Sequence, residues 1–377
     1  MGIFRHLRIT LSLVIAGHSF AVPLVRASML PLSPPTLRWS KAVVGKAEYL
    51  PILVFITPTV LAVTGSLDQP LPAGLERRGT IELLDAQTGS LKETLSWSAP
   101  SSAPLFDSRA VLPLSGGRFL VQSWDLLRLF SPDGQVLKTR TLPLEGLQAN
   151  YNSKITIWDR WDFGSSPDGS VVLATRHRPK FPEAEEHWLS GETLEDLQVE
   201  TADSAHCCHA VGHEQVLYSA HLPGEPMVIR SKGGQPHPLC SKCLGGQGVF
   251  LDDTQVVLTT RPRGRFLVVS TSGEIRVDKT LGGEDDSIIE VSVAPVSRQV
   301  AFLLGPQHLR DTPGEYSVYV YDSVLKKPIF KMQIPEHIER DKPFVESITS
   351  PHIALSPDGK NLAILDHSVL RVYGTSP

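Results

Sequence analysis

The sequence predicts an all-β protein made of seven copies of a four-stranded antiparallel unit. Two observations support this prediction. A short β-rich run recurs seven times at a mean spacing of about 50 residues, and alternating strands joined by a tight polar turn follow these runs. The length of 377 residues exceeds that of a typical single-core domain, which also favours a repetitive architecture.

The first recurring element is a polar or glycine-containing turn followed by a run rich in Val, Leu and Ile. These runs begin at Val60, Phe119, Val171, Val216, Val256, Val300 and Leu362. The second element is a hairpin, as in TIELLDAQTGSLKETLSW and FLVVSTSGEIRVDKTL. Glycine accepts a positive φ without steric cost, and Asp or Ser bonds back to the chain, so these turns suit hairpins. With an inner strand placed before each run, every unit has four strands.

Four-stranded units at this period predict a seven-bladed β-propeller. The last unit supplies only three strands, at residues 353–356, 361–366 and 368–373. The spare β-rich segment is residues 37–44, near the start of the chain. We expect this segment to pair with residues 368–373 as the fourth strand of the last blade, because an open edge strand invites aggregation.

Several turns resemble those of known propeller families. Residues 85–89, DAQTG, followed by Trp97, resemble the repeats of quinoprotein-like and surface-layer-type propellers. The Ser-Pro-Asp-Gly turns at 131–134, 166–169 and 356–359 are similar to those of WD-repeat proteins. The resemblance extends over nearly all of residues 28–377 and implies the fold, not a particular activity.

Residues 1–27 have the order of a secretory signal peptide. Arg5 and Arg8 precede an apolar run at 9–25, and small residues precede a predicted mature start at Ser28, with Val22 as the alternative start. We therefore expect export to the periplasm or the medium, with residues 28–377 forming the propeller. An uncleaved anchor is the alternative, and only then is membrane contact expected. A second apolar stretch, residues 50–63, contains two prolines and predicts two short strands around a turn.

Charge and cysteine content limit the function classes. The chain has 36 Lys and Arg against 40 Asp and Glu, so it lacks the basic surplus that a nucleic-acid partner requires. No P-loop, dinucleotide fingerprint or nucleophilic Ser-His-Asp motif occurs, so no catalytic residue, metal or cofactor is assigned. The four cysteines, Cys207, Cys208, Cys240 and Cys243, predict at least one disulfide in an exported chain. We expect Cys243 to pair with Cys207 or Cys208; a Cys240–Cys243 bridge, free thiols, and a zinc site that includes His206 and His209 are the alternatives.

The repeat register also gives candidate ligand-binding residues. Ten residues before each run lies the inner strand, which lines the central channel of a propeller. The polar residues at these positions are Arg109, His206, Glu290 and His352, and the other positions are Leu50, Trp161 and Gly246. Convergent polar groups are typical of a binding site. The alternative is a hydrated channel whose polar lining has no ligand.

Three charged segments remain. Residues 252–253 and 284–286 are acidic and suit either a Ca²⁺ site or a solvated turn. Residues 176–188, RHRPKFPEAEEHW, predict a long charged loop between two strands.

These patterns predict an exported, non-catalytic propeller that acts as a binding scaffold for a protein or a small-molecule ligand. One alternative is a hydrolase of the propeller lactonase type, with a divalent cation over the channel. That enzyme requires several acidic side chains on the axis, where the register places only Glu290. The other alternative is a quinone-dependent dehydrogenase, which requires its repeat pattern in more than one unit.

Overall fold

The computed structural model describes residues 35–43, 52–64, 76–100, 110–123, 126–143, 160–177, 183–203, 209–218, 225–244, 246–260, 264–306, 315–334, 351–366 and 369–375. These residues form 28 strands in seven antiparallel sheets of four strands. The predicted seven-bladed β-propeller is therefore confirmed. Among the same residues, no helix is long and apolar enough to cross a bilayer.

The first strand, β1 (Thr36–Ala42), belongs to the last blade, and the other strands follow in chain order. Blade 1 contains β2 (Leu53–Thr57), β3 (Val60–Thr64), β4 (Glu76–Asp85) and β5 (Leu91–Pro100). Blade 2 contains β6 (Ala110–Pro113), β7 (Phe119–Ser123), β8 (Leu126–Phe130) and β9 (Val136–Thr141), with a 3-10 turn at Ser115–Gly117. Blade 3 contains β10 (Arg160–Ser165), β11 (Val171–His177), β12 (Glu183–Ser190) and β13 (Asp196–Asp203).

Blade 4 contains β14 (His209–Val211), β15 (Gln215–Tyr218), β16 (Val228–Ser231) and β17 (His237–Pro238). Blade 5 contains β18 (Gln247–Asp252), β19 (Gln255–Thr260), β20 (Arg265–Ser270) and β21 (Ile275–Thr280). Blade 6 contains β22 (Asp286–Ala294), β23 (Gln299–Pro306), β24 (Tyr316–Asp322) and β25 (Lys327–Ile334). Blade 7 contains β26 (His352–Leu355), β27 (Asn361–Asp366), β28 (Val369–Gly374) and β1.

The blades form a closed ring around their inner strands. Each inner strand contacts the inner strands of the two neighbouring blades, and β2 contacts both β6 and β26. The core lies between the blades, because seven clusters of buried apolar side chains each join one pair of neighbouring blades. Among the described residues, the cluster between blades 3 and 4 has six members and the other clusters have ten to twelve. That interface therefore depends least on apolar packing.

The predicted strand exchange between the two ends of the chain is confirmed. β1 pairs antiparallel with β28, with Thr36 opposite Gly374 and Ala42 opposite Val369. It covers the outer edge of β28, whose other edge pairs with β27. The prediction for the apolar stretch at 50–63 is confirmed over its described residues, 52–63, since β2 and β3 are joined by a two-residue turn.

Side chains of β1 also attach blade 7 to blade 1. Trp39 Nε1–H donates to the Ala86 carbonyl at 2.9 Å, and Lys41 Nζ lies 3.2 Å from Glu82 Oε2. The Trp39 ring packs on Gly89, where a Cβ atom would lie 2.8 Å from the ring. Gly89 has φ of +73°, so both its conformation and this contact favour glycine. β1 is thus held by backbone pairing on one side and by side chains on the other.

Each blade presents its first-to-second and third-to-fourth strand turns at the same end, because the strands are antiparallel. We call this end of the ring the turn face. Asp85 shows how such a turn is built, because its Oδ1 accepts the N–H groups of Gln87 and Thr88. Burial alone would raise the pKa of Asp85, but hydrogen bonds from Lys92, Gln87 and Thr88 hold it below its ordinary value.

Candidate functional site

The structure brings together two of the four channel candidates. Glu290 on β22 and His352 on β26 lie on neighbouring inner strands, with 3.3 Å between Glu290 Oε2 and His352 Nδ1. Glu290 Oε2 also accepts the Ile353 N–H at 3.2 Å. Both groups are thus engaged in joining blades 6 and 7. Arg109 and His206 lie outside the described residues, so ligand binding by the four residues stays a prediction.

The other register positions are less informative. Trp161 is 2% exposed and packs in the cluster between blades 2 and 3, where its Nε1–H donates to the Pro143 carbonyl at 3.1 Å. Its side chain therefore faces the neighbouring blade and not the channel. Gly246 precedes β18 by one residue, and Leu50 lies outside the described residues.

A disulfide is present, but the predicted pairing of Cys243 with Cys207 or Cys208 is wrong. Cys243 is bonded to Cys240, with 5.1 Å between their Cα atoms. The outer strand β17 has only two residues, and the chain turns back immediately after it. The Cys243 N–H donates to the Cys240 carbonyl at 3.2 Å, and the Cys243 carbonyl accepts the Met227 N–H at 2.8 Å. Cys243 therefore lies beside the third strand of blade 4, and Cys207 and Cys208 lie outside the described residues.

No group of three or more His, Cys, Asp or Glu side chains among the described residues is arranged to hold a metal ion. In the alternative prediction of a zinc site, His206 lies outside the described residues, and Cys240 and Cys243 are bonded to each other. Of the two acidic segments, Asp252 caps its own turn by accepting the Thr254 N–H at 2.8 Å. Asp286 Oδ2 accepts the Gly283 N–H at 2.6 Å.

The prediction of one long loop at residues 176–188 is wrong. Arg176 lies on β11, residues from Glu183 onwards form β12, and the intervening residues 178–182 lie outside the described ones. β11 and β12 pair from Val171 opposite Ser190 to Arg176 opposite Glu185. Arg176 is 2% exposed and Glu186 is fully buried. Arg176 and Glu186 are therefore interior residues of blade 3.

A buried polar network joins blades 3 and 4 at the interface with the smallest apolar cluster. Arg230 on β16 forms an ion pair with Glu186, and Tyr218 OH donates to Glu186 Oε1 at 3.0 Å. Arg230 Nη1 also lies 2.9 Å from Glu200 Oε1. Glu200 in turn accepts the Trp188 indole N–H at 2.5 Å. The network crosses between the blades where fewer apolar side chains are available.

Burial raises the pKa of the Glu186 carboxyl, and the Arg230 guanidinium and the Tyr218 hydroxyl offset only part of this effect. Burial also raises the pKa of the Tyr218 hydroxyl, with the Glu186 carboxylate acting in the same direction. The network is thus electrostatically costly to build and depends on every partner being present.

A cleft opens on the turn face beside this network. It has a volume of about 540 Å³, and its lining residues come from blades 3, 4 and 5: Gln198, His213, Glu214, Gln215, Ser231, Lys232 and Asp253. The network supports one wall, because Glu200 Oε2 accepts the Gly233 N–H at 3.0 Å. Lys232 Nζ lies 5.6 Å from the centre of the Trp188 ring. The backbone N–H of Lys232 donates to the Glu214 carbonyl at 2.8 Å.

A serine, a histidine and an aspartate meet at the rim of the cleft, but not as a nucleophilic triad. Ser170 Oγ donates to Asp168 Oδ1 at 2.8 Å and lies 2.9 Å from His213 Nδ1. In a triad the imidazole uses one ring nitrogen for the hydroxyl and the other for the carboxylate. Here His213 Nδ1 faces both groups, with 4.0 Å to Asp168 Oδ2. The cluster joins the turns of blades 3 and 4.

Three exposed apolar side chains lie on the turns of blade 6, and we call them the blade 6 tip. Val296 is 78% exposed, Val324 63% and Leu325 58%. The Ser323 N–H donates to the Arg298 carbonyl at 3.1 Å, which holds the two turns side by side. Arg298 also forms an ion pair with Asp252 at 3.2 Å, beside Asp253 of the cleft. The cleft and the blade 6 tip therefore belong to one continuous strip of the turn face. Neither feature was predicted from the sequence.

No protein-family profile matches the chain, and no curated protein matches its sequence. Solved structures match its fold. A chain of the structure "Crystal Structure of Mitotic Checkpoint Complex" has 14% identity and a TM-score of 0.51, with 98% of each chain covered. The Pan2 WD40 domain of Neurospora crassa has 9% identity and a TM-score of 0.51, covering 90% of this chain and 96% of that domain.

BBS1N, solved in complex with ARL6DN, has 11% identity and a TM-score of 0.50, covering 91% of this chain and 97% of BBS1N. At such identities a likeness shows the fold alone. The chain is a seven-bladed β-propeller that is similar in fold to WD40 proteins.

Proposed function

We propose that the protein is an exported interaction scaffold that binds a protein partner along the turn face of blades 4 to 6. The observation that supports this most strongly is the blade 6 tip, where three aliphatic side chains are exposed on adjacent turns. Solvent-exposed apolar groups that lie together are typical of interaction sites, whereas single ones are normal.

The backbone of the tip supports the same proposal. Arg298 and Lys326 have φ of +54° and +53°, a left-handed conformation that costs a non-glycine residue roughly 1–2 kcal/mol. Corresponding turns of most other blades have glycine in this conformation, at Gly89, Gly134, Gly169, Gly233, Gly273 and Gly359, whereas one turn of blade 3 has Leu194. Strained backbone is concentrated at functional sites. Both turns of blade 6 thus carry strain and exposed apolar surface together.

The charges beside the tip favour a partner segment that combines apolar and acidic side chains. Lys326 and Lys327 are exposed directly after Leu325. Among the solved structures of similar fold, one belongs to a mitotic checkpoint complex and another is bound to ARL6DN. Assembly with other proteins is therefore a use to which this fold is put. The two enzyme alternatives have no comparable support among the described residues.

Replacing Val324 and Leu325 with serine tests the partner surface. Each tagged protein is crosslinked to its partners in the compartment where it is found and is then purified. We expect the Val324→Ser/Leu325→Ser variant to retain at least about tenfold less partner protein than wild type does, because the apolar contact is removed. The control is Val136→Ser/Leu137→Ser, a pair on β9 that is similarly exposed, at 54% and 53%. Equal retention by wild type and both variants would contradict the proposal, as would equal loss in both variants.

Export has a separate test. We expect the mature protein to begin at Ser28, or at Val22, because the residues before these positions have the charged, apolar and small-residue order of a signal peptide. N-terminal sequencing of protein from the periplasm or the medium measures the start directly. Recovery of intact Met1 in a membrane fraction would contradict cleavage.

A further inference from the structure

We propose that the cleft on the turn face binds a guanidinium group, namely the arginine side chain of a protein partner. This inference rests on the proposed function for the identity of the partner, but it depends on different residues. It follows from a set of acceptors that have no donor, from cations that are already engaged, and from the geometry of hydrogen bonding.

The cleft contains two carboxylates without a partner among the described residues. Glu214 of blade 4 and Asp253 of blade 5 are exposed, and their carboxylates form no ion pair or hydrogen bond with any described side chain or N–H group. Two carboxylates that line one cleft repel each other. A cationic donor placed between them relieves this repulsion.

The basic side chains of the cleft do not satisfy these acceptors. Lys232 Nζ lies over the Trp188 ring, at a distance typical of a cation–π contact. His213 Nδ1 faces Ser170 Oγ at 2.9 Å. Each of these groups already has a partner in blade 3, so the cleft has both an excess of negative charge and an excess of acceptors.

Hydrogen-bonding geometry favours guanidinium over ammonium. A guanidinium presents five N–H donors in a planar fork and is less strongly hydrated than an ammonium. Two carboxylates that come from different blades offer acceptors in several directions, which suits such a fork. The wall that carries Lys232 is fixed by the Glu200–Gly233 hydrogen bond, so the cleft is largely formed before binding.

The experiment uses three blocked tripeptides, acetyl-Gly-Xaa-Gly-amide, in which Xaa is arginine, lysine or citrulline. Citrulline has nearly the shape of arginine but no charge. Each tripeptide is titrated into the isotope-labelled mature protein while the backbone amide signals of Glu214, Lys232 and Asp253 are followed. We expect the arginine tripeptide to bind weakly, as a small ligand does, and at least about tenfold more tightly than the other two.

Charge-neutral variants locate the binding. We expect Glu214→Gln/Asp253→Asn to remove the preference for arginine over citrulline. Glu284→Gln/Asp285→Asn makes the same two chemical changes at exposed residues before β22 and should retain the preference. Equal affinity for citrulline, equal affinity for lysine, or an equal effect of the two double variants would overturn the assignment.

The outcome is separable from that of the proposed function. The Val324→Ser/Leu325→Ser protein should bind the arginine tripeptide like wild type, because the peptide is too short to need the blade 6 tip. If that variant keeps every partner but the tripeptide still requires Glu214 and Asp253, the proposed partner surface fails and the cleft assignment stands. If the tip variant loses its partners and the tripeptide shows no preference, only the cleft assignment fails.

Discussion

Replacing Arg230 with methionine is expected to lower the free energy of unfolding by about 3–5 kcal/mol, because the substitution leaves the buried Glu186 carboxylate without its counter-ion. Glu186 is fully buried, and Arg230 is 5% exposed. Chemical denaturation of wild type and variant measures the difference. Because the interface between blades 3 and 4 has the smallest described apolar cluster, little other packing compensates for the loss.

Arg265→Met is the matched control. Arg265 makes two hydrogen bonds to Asp278, at 2.8 and 2.7 Å, but the two side chains are 37% and 43% exposed. An exposed pair of this kind contributes at most about 1 kcal/mol. The double variant Arg230→Met/Glu186→Leu should recover part of the lost stability, since it removes the buried charge as well. Equal destabilisation by Arg230→Met and Arg265→Met would contradict the importance of burial.

The same variant has a pH dependence whose sign follows from the pKa of Glu186. Burial raises this pKa in the folded protein, so the group's contribution to stability is present at low pH and is lost as the pH rises through the folded value. Without Arg230 the folded pKa rises further. We therefore expect the difference in unfolding free energy between wild type and Arg230→Met to be larger at about pH 8 than at about pH 5.

In a protein prepared to begin at Ser28, deleting residues 28–45 is expected to lower the melting temperature by more than about 10 °C or to prevent folding. The deletion removes β1, whose backbone pairs with β28 and whose Trp39 packs on Gly89. It also removes Val43, which is 8% exposed in the cluster between blades 7 and 1. Calorimetry of the purified protein measures the change.

Two further variants keep this prediction testable if the truncated protein does not fold. Deletion of residues 28–34 shortens the same end but leaves β1, and we expect little change in stability. Trp39→Ala removes the contacts with Ala86 and Gly89 alone, and we expect a partial loss of about 1–3 kcal/mol, because Trp39 is only partly buried and fully buried tryptophans cost more. A protein without residues 28–45 that melts at the wild-type temperature would show that β1 is not needed to close the ring.

The sequence predicted the blades because their signals are local. Each run that begins at a position such as Val171 or Val256 forms a second strand, and each hairpin turn has its own glycine or aspartate. Even the closure of the ring was predictable, since the last unit lacked one strand and residues 37–44 were unassigned. These inferences require only the counting of strands.

The network between blades 3 and 4 was not predictable in the same way. The segment EAEEHW alternates as a strand does, yet its charges made it read as a hydrated loop, because charged residues are rarely buried without a partner. The partner of Glu186 is Arg230, which lies 44 residues further along the chain. A buried ion pair between blades leaves no mark at either position alone.

The cleft and the disulfide pairing were not predicted correctly from the sequence, for a related reason. Glu214 and Asp253 come from different blades, so only the packing of the ring places them on one cleft. For the cysteines, the error was the length of β17, which is two residues and not a full outer strand. The chain turns back through Cys240 directly after β17, which brings Cys240 and Cys243 close enough to bond.

The pairing of β1 with β28 also sets an order of events during synthesis. Thr36 is made early, and its partner Gly374 is made more than three hundred residues later. Until then β1 has no strand beside it, and Leu37, which is half exposed even in the finished ring, is available to other chains. Closing so long a loop is entropically costly and slow, so the seventh blade is expected to be the last to assemble.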